Sequence, residues 1–238
     1  MSIKQLSETG LEATTGSALS GFSRRKFLSY MGMGSAIVIG ASALTSCSDD
    51  DNPGNNTGVN LGSGDVGILN YAYALEQLEA AFYTKVMASP YSGMSAIETA
   101  FLTDIRDHEI AHRNFFKAAI SGAGATPLQD LEVDFSSINF GSRDSVLATA
   151  KVFEDLGVMA YNGAGKLITT PAYLTIAGQI VSVEARHAAL IADLISNGTF
   201  SNTTDANGLD KAMTPAQVLA AADPFIVTVL NASNLPTS

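Results

Sequence analysis

Two Glu-x-x-His pairs lie within the apolar faces of two predicted helices, and they constrain the fold more than any other feature of the chain. The pairs are Glu109 with His112 and Glu184 with His187. A spacing of three residues places both side chains of a pair on one helix face, with their Cβ atoms about 5–6 Å apart. With nine Glu and three His among 238 residues, random placement predicts only about 0.1 such pairs. The two pairs therefore indicate a shared role.

Four segments carry apolar residues at helical spacing, which predicts four long helices. Asp65 is a candidate N-cap of the first helix, and Ser95 with Glu98 has the sequence of a capping box at the second. Strand signals are few, so we expect an all-α fold: a four-helix bundle with a short C-terminal helix and loop extension. The predicted helices cover residues 65–88, 95–121, 142–168 and 170–195.

The other two helices each place one Glu on an apolar face, Glu76 on the first and Glu154 on the third. Every helix thus offers a carboxylate to the bundle centre, and burying four carboxylates is prohibitive unless cations compensate. Two divalent cations supply four positive charges, and carboxylate with imidazole suits iron, manganese or zinc. Di-iron and di-manganese carboxylate bundles have this ligand set: two helices each supply one Glu, and the other two each supply a Glu-x-x-His pair.

Four short sequence segments around these residues resemble the ferritin-like superfamily. They are LEQLEAAFY at 75–83, EIAH at 109–112, FEDLG at 153–157 and EARH at 184–187. Within the superfamily they are most similar to the branch that includes plant desiccation-related proteins and many secreted bacterial proteins. The resemblance covers about residues 65–196, which makes this stretch the expected ferritin-like domain and 197–238 a C-terminal extension.

The resemblance implies a site for two metal ions, with iron or manganese expected. The glutamates of the two pairs would bridge or chelate, both histidines would bind terminally, and the two lone glutamates would complete the set. The expected ligands are Glu76, Glu109, His112, Glu154, Glu184 and His187.

Three further residues are candidates for supporting these ligands. Glu79 lies one turn after Glu76 and is the alternative ligand; Glu76 is preferred because Tyr83 follows it at seven residues, as in the first helix of ferritins. Tyr83 and Tyr161 are candidates for radical or hydrogen-bonding roles, although core tyrosines with bonded hydroxyls are the simpler interpretation. His108 points about 100° away from its neighbour in the motif, so a surface or core role is expected rather than ligation.

The first 47 residues have the pattern of an export signal. Arg24 and Arg25 precede an apolar run of 15 residues, 30–44, which is too short for a bilayer-spanning helix of about 20 residues. The paired arginines resemble a twin-arginine signal, which implies the matching export machinery; an N-terminal membrane anchor is the alternative. The segment 44–47 resembles a bacterial lipobox, in which Cys47, the only cysteine of the chain, is lipidated.

Residues 48–64 are predicted to form a flexible tether, because they are acidic and then rich in Gly and Asn. The acidic run 48–51 resembles the surface-export signals of Bacteroidetes lipoproteins, and a plain solvated linker is the alternative. A lipid at Cys47 would hold the chain to a membrane without a spanning helix. The expected location is therefore the cell envelope, on the periplasmic or cell-surface face of the outer membrane.

The composition of the chain argues against some classes of function. A net charge of −10 argues against nucleic acid, and a single cysteine excludes an intramolecular disulfide. The leading hypothesis is an exported redox metalloprotein linked to oxidative stress, and a di-iron or di-manganese oxidoreductase is one form of it. The alternative is a non-enzymatic, metal-stabilised envelope or stress-protection module. A homo-oligomer is compatible with either, whereas the lipid anchor and tether disfavour a storage cage.

Overall fold

A computed structural model describes residues 58–237, and four long helices dominate this part of the chain. They confirm the expected all-α fold class. The predicted export signal, the segment that resembles a lipobox, the acidic run and most of the predicted tether lie outside the described residues. The helices are α1 (Gly64–Ala88), α2 (Ala96–Gly122), α3 (Arg143–Ala164) and α4 (Pro171–Ile195).

The helices form two hairpins joined by a crossover. α1 packs chiefly against α2, and α3 packs chiefly against α4. At one end of the bundle, Arg143 at the start of α3 donates to the Glu98 carboxylate at the start of α2 and to the Leu194 carbonyl near the end of α4. α2 and α3 therefore begin at the same end and run parallel, so the segment 123–142 must cross the length of the bundle.

A second set of contacts between helices lies at the opposite end of the bundle. It corrects the expectation that Asp65 is the N-cap of α1. The capping box predicted at the start of α2 is present, but the N-cap of α1 is Ser63 and not Asp65. The Asp65 carboxylate instead accepts hydrogen bonds from the backbone N–H groups of Thr169 and Thr170, at the start of α4. Asp65 thus satisfies amides of another helix and holds the starts of α1 and α4 together.

Burial differs sharply between helices. α1 is buried over most of its length, from Gly67 to Val86, and T-shaped contacts such as that between Phe82 and Phe153 fill the space beside it, with ring centroids 5.1 Å apart. α4 buries only one narrow line. Its buried residues are Ile180, Glu184, His187, Ile191 and Ala192.

The C-terminal extension packs back onto the bundle. It contains α5 (Pro215–Ala222) and β2 (Leu230–Asn231), which pairs in parallel with β1 (Val59–Asn60). Residues 58–64, assigned above to the tether, are therefore part of the described fold. Where the extension crosses α3, the Met213 N–H donates to the Met159 carbonyl, and the approach requires a glycine, because a Cβ at position 163 would lie 1.7 Å from the Met213 carbonyl oxygen.

Between residues 58 and 237, the helices are all too short or too polar to cross a membrane.

Candidate metal centre

Four glutamates and two histidines from the four long helices converge in the middle of the bundle. The glutamates are at most 1% exposed, and the two histidine side chains are 13% and 6% exposed. The structure thus brings together every residue that the sequence predicts as a ligand. They are Glu76 on α1, Glu109 and His112 on α2, Glu154 on α3, and Glu184 and His187 on α4.

Helix periodicity explains why the two pairs point inward. On α4, Glu184 and His187 lie between Ile180 and Ile191 on the line that this helix buries. Residues at a spacing of three or four share one helix face, so burial of the isoleucines carries the polar pair into the core. Glu109 has the same relation to Ile105 and Phe116 on α2.

The six residues form two overlapping groups of potential ligand atoms. Within each group, one nitrogen or carboxylate oxygen from every member lies within 4.8 Å of the others. Glu109 and Glu184 belong to both groups. The His112 half consists of Glu76, Glu109, His112 and Glu184. The His187 half consists of Glu109, Glu154, Glu184 and His187.

The inward atoms lack hydrogen-bond partners of suitable geometry within the described chain. His112 Nδ1 lies 3.0 Å from Glu184 and 3.4 Å from Glu76, and His187 Nδ1 lies 2.8 Å from Glu109. These are ion-pair distances, yet both Nδ1 atoms and both oxygens of Glu109 and Glu184 remain without a hydrogen bond. Buried polar atoms in this state are costly, so the arrangement fits a site built for a ligand.

The protonation states of the cluster are strongly shifted. Burial raises the pKa of Glu76 to about 7 and the pKa values of Glu154 and Glu184 to about 8. Burial alone lowers the pKa of a histidine, but contacts with carboxylates raise the pKa of His112 to about 12 and that of His187 to about 10. Without a cation, protons therefore balance part of the negative charge.

A comparison with protein families supports the resemblance to the ferritin-like superfamily. The model of the ferritin-like domain matches residues 64–197, which is more than half of the chain and includes all four long helices. The chain belongs to the ferritin-like family. A search of curated proteins finds no match.

Two tyrosines of the ferritin-like domain donate hydrogen bonds to Glu154 and Glu76, in each case from the helix on the other side of the bundle. Tyr83 on α1 donates to the Glu154 carboxylate on α3, and Tyr161 on α3 donates to the Glu76 carboxylate on α1. Burial, reinforced by these carboxylates, raises the pKa of both phenols well above the usual value. Each phenol therefore keeps its proton and orients one carboxylate.

Glu79, the alternative ligand, lies beside the cluster of the ferritin-like domain and outside both groups of ligand atoms. It is 4% exposed, and burial followed by repulsion from neighbouring carboxylates raises its pKa well above the usual value. Gly157 makes room for it: a Cβ there would lie 3.2 Å from a Glu79 oxygen and 3.3 Å from a Glu184 oxygen. The structure thus favours Glu76 as the member of the His112 half.

His108 has a partner that the sequence did not reveal. Its Nδ1 lies 2.9 Å from Nε2 of His187, and the two rings lie end to end in nearly one plane, with an interplanar angle of 11°. His108 itself is exposed and is not a member of either ligand group. Helical spacing predicts which face His108 occupies on α2, but only the packing of α2 against α4 brings it to His187.

Proposed function

We propose that the ferritin-like domain binds two ions, iron or manganese, between its four long helices. The observation that carries this proposal is the pair of overlapping four-residue groups that share Glu109 and Glu184. A carboxylate that belongs to both groups can place one oxygen toward each ion. Each half then offers one histidine nitrogen and three carboxylates, two of which are shared.

Charge supports occupation by two divalent cations. Glu76, Glu109, Glu154 and Glu184 carry four negative charges when ionised, and the two neutral histidines add none. Two divalent ions balance this charge without Lys or Arg, and both Nδ1 atoms then receive the partner that they lack in the metal-free chain. Metal binding would therefore displace protons from the cluster and stabilise the fold.

The donor set narrows the choice of metal. Carboxylate oxygens dominate and imidazole completes each half, a mixture that suits iron and manganese, and zinc as well. Affinity alone favours zinc or copper over iron or manganese, so selection must come from geometry and availability. A twin-arginine route, which carries folded proteins, would allow loading in the cytoplasm before export.

The proposed activity is redox chemistry with O2 or peroxide as the acceptor. Bound iron or manganese would supply the change of oxidation state, and this assignment rests on the site together with analogy to the superfamily. The chain's own contribution is to hold Glu76 and Glu154 in place through Tyr161 and Tyr83, and to exclude bulk water. The near-complete burial of the glutamates favours a second candidate, a metal-stabilised protein of the envelope without catalysis, because catalysis needs an open ligand position.

Anaerobic loading followed by O2 exposure tests these proposals. The soluble domain from residue 48 onward is purified metal-free, titrated with Fe²⁺ or Mn²⁺, and assayed for bound metal. We expect two ions per chain. Rapid oxidation of the iron-loaded protein on addition of O2 or peroxide supports the redox function, whereas stable binding of two ions with no oxidation supports the structural module. Failure to bind metal would refute both.

We also propose that the chain is an exported bacterial lipoprotein of the desiccation-related branch. The support is the sequence alone: Arg24 and Arg25, the lipobox ending at Cys47 and the acidic run that follows. Mass spectrometry of protein extracted from native membranes should find a lipid-modified N-terminus at Cys47. An intact Met1 on the membrane-bound form would contradict this proposal.

A further inference from the structure

We propose that His108 is a positioning residue for His187 and that it makes the two metal positions unequal. The inference rests on the proposed function, because it assigns to His108 a role toward a ligand of one ion. It concerns only the His187 half.

The two nitrogens of His187 face different surroundings. Nδ1 points into the cluster, 2.8 Å from Glu109 and 3.4 Å from Glu154. Nε2 points the other way, 2.9 Å from Nδ1 of His108. The ring centroids of the two histidines lie 5.2 Å apart with the planes nearly parallel. This separation equals the distance between the two nitrogens plus about one ring radius on each side, so the rings lie end to end and the nitrogen contact restricts the His187 ring along its own plane.

This contact selects one tautomer of a metal-bound His187. A neutral imidazole has one N–H, and the nitrogen that binds metal is the one without it. If Nδ1 binds the ion, the proton is on Nε2 and requires an acceptor. His108 Nδ1 supplies that acceptor, with the proton of His108 on its own Nε2. A ligating histidine whose other nitrogen donates in this way is fixed in orientation and is a stronger base toward the metal.

His112 lacks an equivalent support. Its Nδ1 faces Glu184, Glu76 and Glu109, but within residues 58–237 its Nε2 has no protein hydrogen-bond partner, and 13% of its side chain is exposed. The histidine of the Glu-x-x-His motif therefore has a partner for its second nitrogen in the His187 half, whereas the histidine of the His112 half has none within residues 58–237 and is partly exposed. We expect the ion of the His187 half to bind more tightly than that of the His112 half.

Two substitutions at position 108 separate the hydrogen bond from the packing of the His108 ring. His108→Phe keeps an aromatic ring at this position and removes Nδ1. His108→Asn removes the ring but can place its amide oxygen near the position of Nδ1. The chain from residue 48 onward, carrying each substitution, is titrated with Co²⁺, whose visible absorption reports binding at each step. Melting of the metal-free proteins controls for folding.

We expect His108→Phe to weaken one of the two Co²⁺ binding steps by about 10–100-fold, the usual effect of losing such a partner, and to leave the other step unchanged. His108→Asn should restore most of the lost affinity. In the Zn²⁺-loaded parent, proton NMR should show a slowly exchanging His187 Nε2–H that disappears in His108→Phe.

Unchanged affinity for both ions in His108→Phe would overturn the inference while leaving the dinuclear site intact. An equal loss at both steps, with a lower melting temperature of the metal-free protein, would also overturn it, because it would show a general structural role. If the parent chain binds no Co²⁺, the proposed function fails and this inference fails with it.

Discussion

The two halves of the candidate centre share one motif but differ in their surroundings. In the His112 half, the histidine lies among three carboxylates and 13% of its side chain is exposed. In the His187 half, the histidine contacts two carboxylates and its outer nitrogen meets His108. Both are products of the same three-residue spacing on a helix. Ligand identity is thus a local property, whereas ligand environment depends on the neighbouring helix.

The tyrosines show the opposite relation, because they make the two halves alike. Each lone glutamate accepts a hydrogen bond from a tyrosine on the helix across the bundle, Tyr161 for Glu76 and Tyr83 for Glu154. The bonds cross between α1 and α3 in both directions. The inequality of the two halves is therefore confined to the histidine side of the centre, and substitutions can test it there.

The largest effect is expected from a residue that both halves share. Glu184→Ala removes a ligand from each half, so the variant should bind fewer than two ions per chain and lose most of the stabilisation that metal provides. For a ligand present at 100 times its Kd, that stabilisation is about 2.7 kcal/mol per ion. Metal analysis and thermal melting with and without Mn²⁺ measure both effects. Glu132→Ala, at an exposed loop position, is the control, and equal metal content in both variants would remove the central argument for the site.

A smaller effect, limited to one half, should distinguish Glu76 from Glu79. Glu76→Gln removes a charged ligand from the His112 half alone, and we expect one tightly bound ion to remain. Glu79→Gln should keep both ions, because Glu79 lies outside both ligand groups and burial raises its pKa well above the usual value. Metal content after dialysis compares the two variants. If Glu79→Gln loses an ion and Glu76→Gln does not, Glu79 rather than Glu76 is the ligand.

The stability of the metal-free protein should fall as the pH rises. The pKa values of Glu76, Glu154 and Glu184 in the fold, about 7 to 8, lie above those of the unfolded chain. Their contribution is therefore complete below the unfolded pKa and is lost as the pH passes through the folded values. We expect the metal-free melting temperature to decrease between about pH 5 and about pH 9.

Metal should reverse this trend, since the ions replace the protons of the cluster and bind more tightly as it deprotonates. Thermal melts of metal-free and Mn²⁺-loaded protein across the same pH range provide the comparison. In the metal-free protein the two histidines add to the decrease, because their folded pKa values of about 10 and 12 lie above the unfolded value of 6.5. Their stabilising contribution is complete below the unfolded pKa and falls as the pH rises above it. Parallel pH profiles with and without Mn²⁺ would contradict the proposed exchange of protons for ions.

The smallest effect should come from the tyrosines. Tyr83→Phe and Tyr161→Phe each remove one hydrogen bond to a carboxylate, which we expect to lower the free energy of unfolding of the metal-loaded protein by about 1–2 kcal/mol. Because the two bonds are equivalent, the two variants should behave alike, unlike substitutions on the histidine side. Denaturant unfolding of both variants tests this similarity. A much larger loss in one of them would show that the carboxylate sides of the two halves are also unequal.

The sequence by itself determined the four helices, the bundle class and five of the six residues that converge. It could do so because each of these depends on spacing along a single helix: an apolar line that includes Glu184 and His187 must carry them inward with Ile180 and Ile191. The membership of Glu76 could not be settled in this way, since Glu79 lies only one turn away and both are buried. That choice depends on how α1 is rotated against α2 and α4.

Only the tertiary structure decided the contacts between helices. Asp65 satisfies amides at the start of α4, over 100 residues away, rather than capping its own helix. Gly157 leaves space for Glu79 on a different helix, and His108 meets His187 across the bundle. Periodicity states which face of a helix a side chain occupies, but it contains no information on which side chain of another helix it meets. That depends on the relative rotation and depth of packed helices, which are set by the whole core at once.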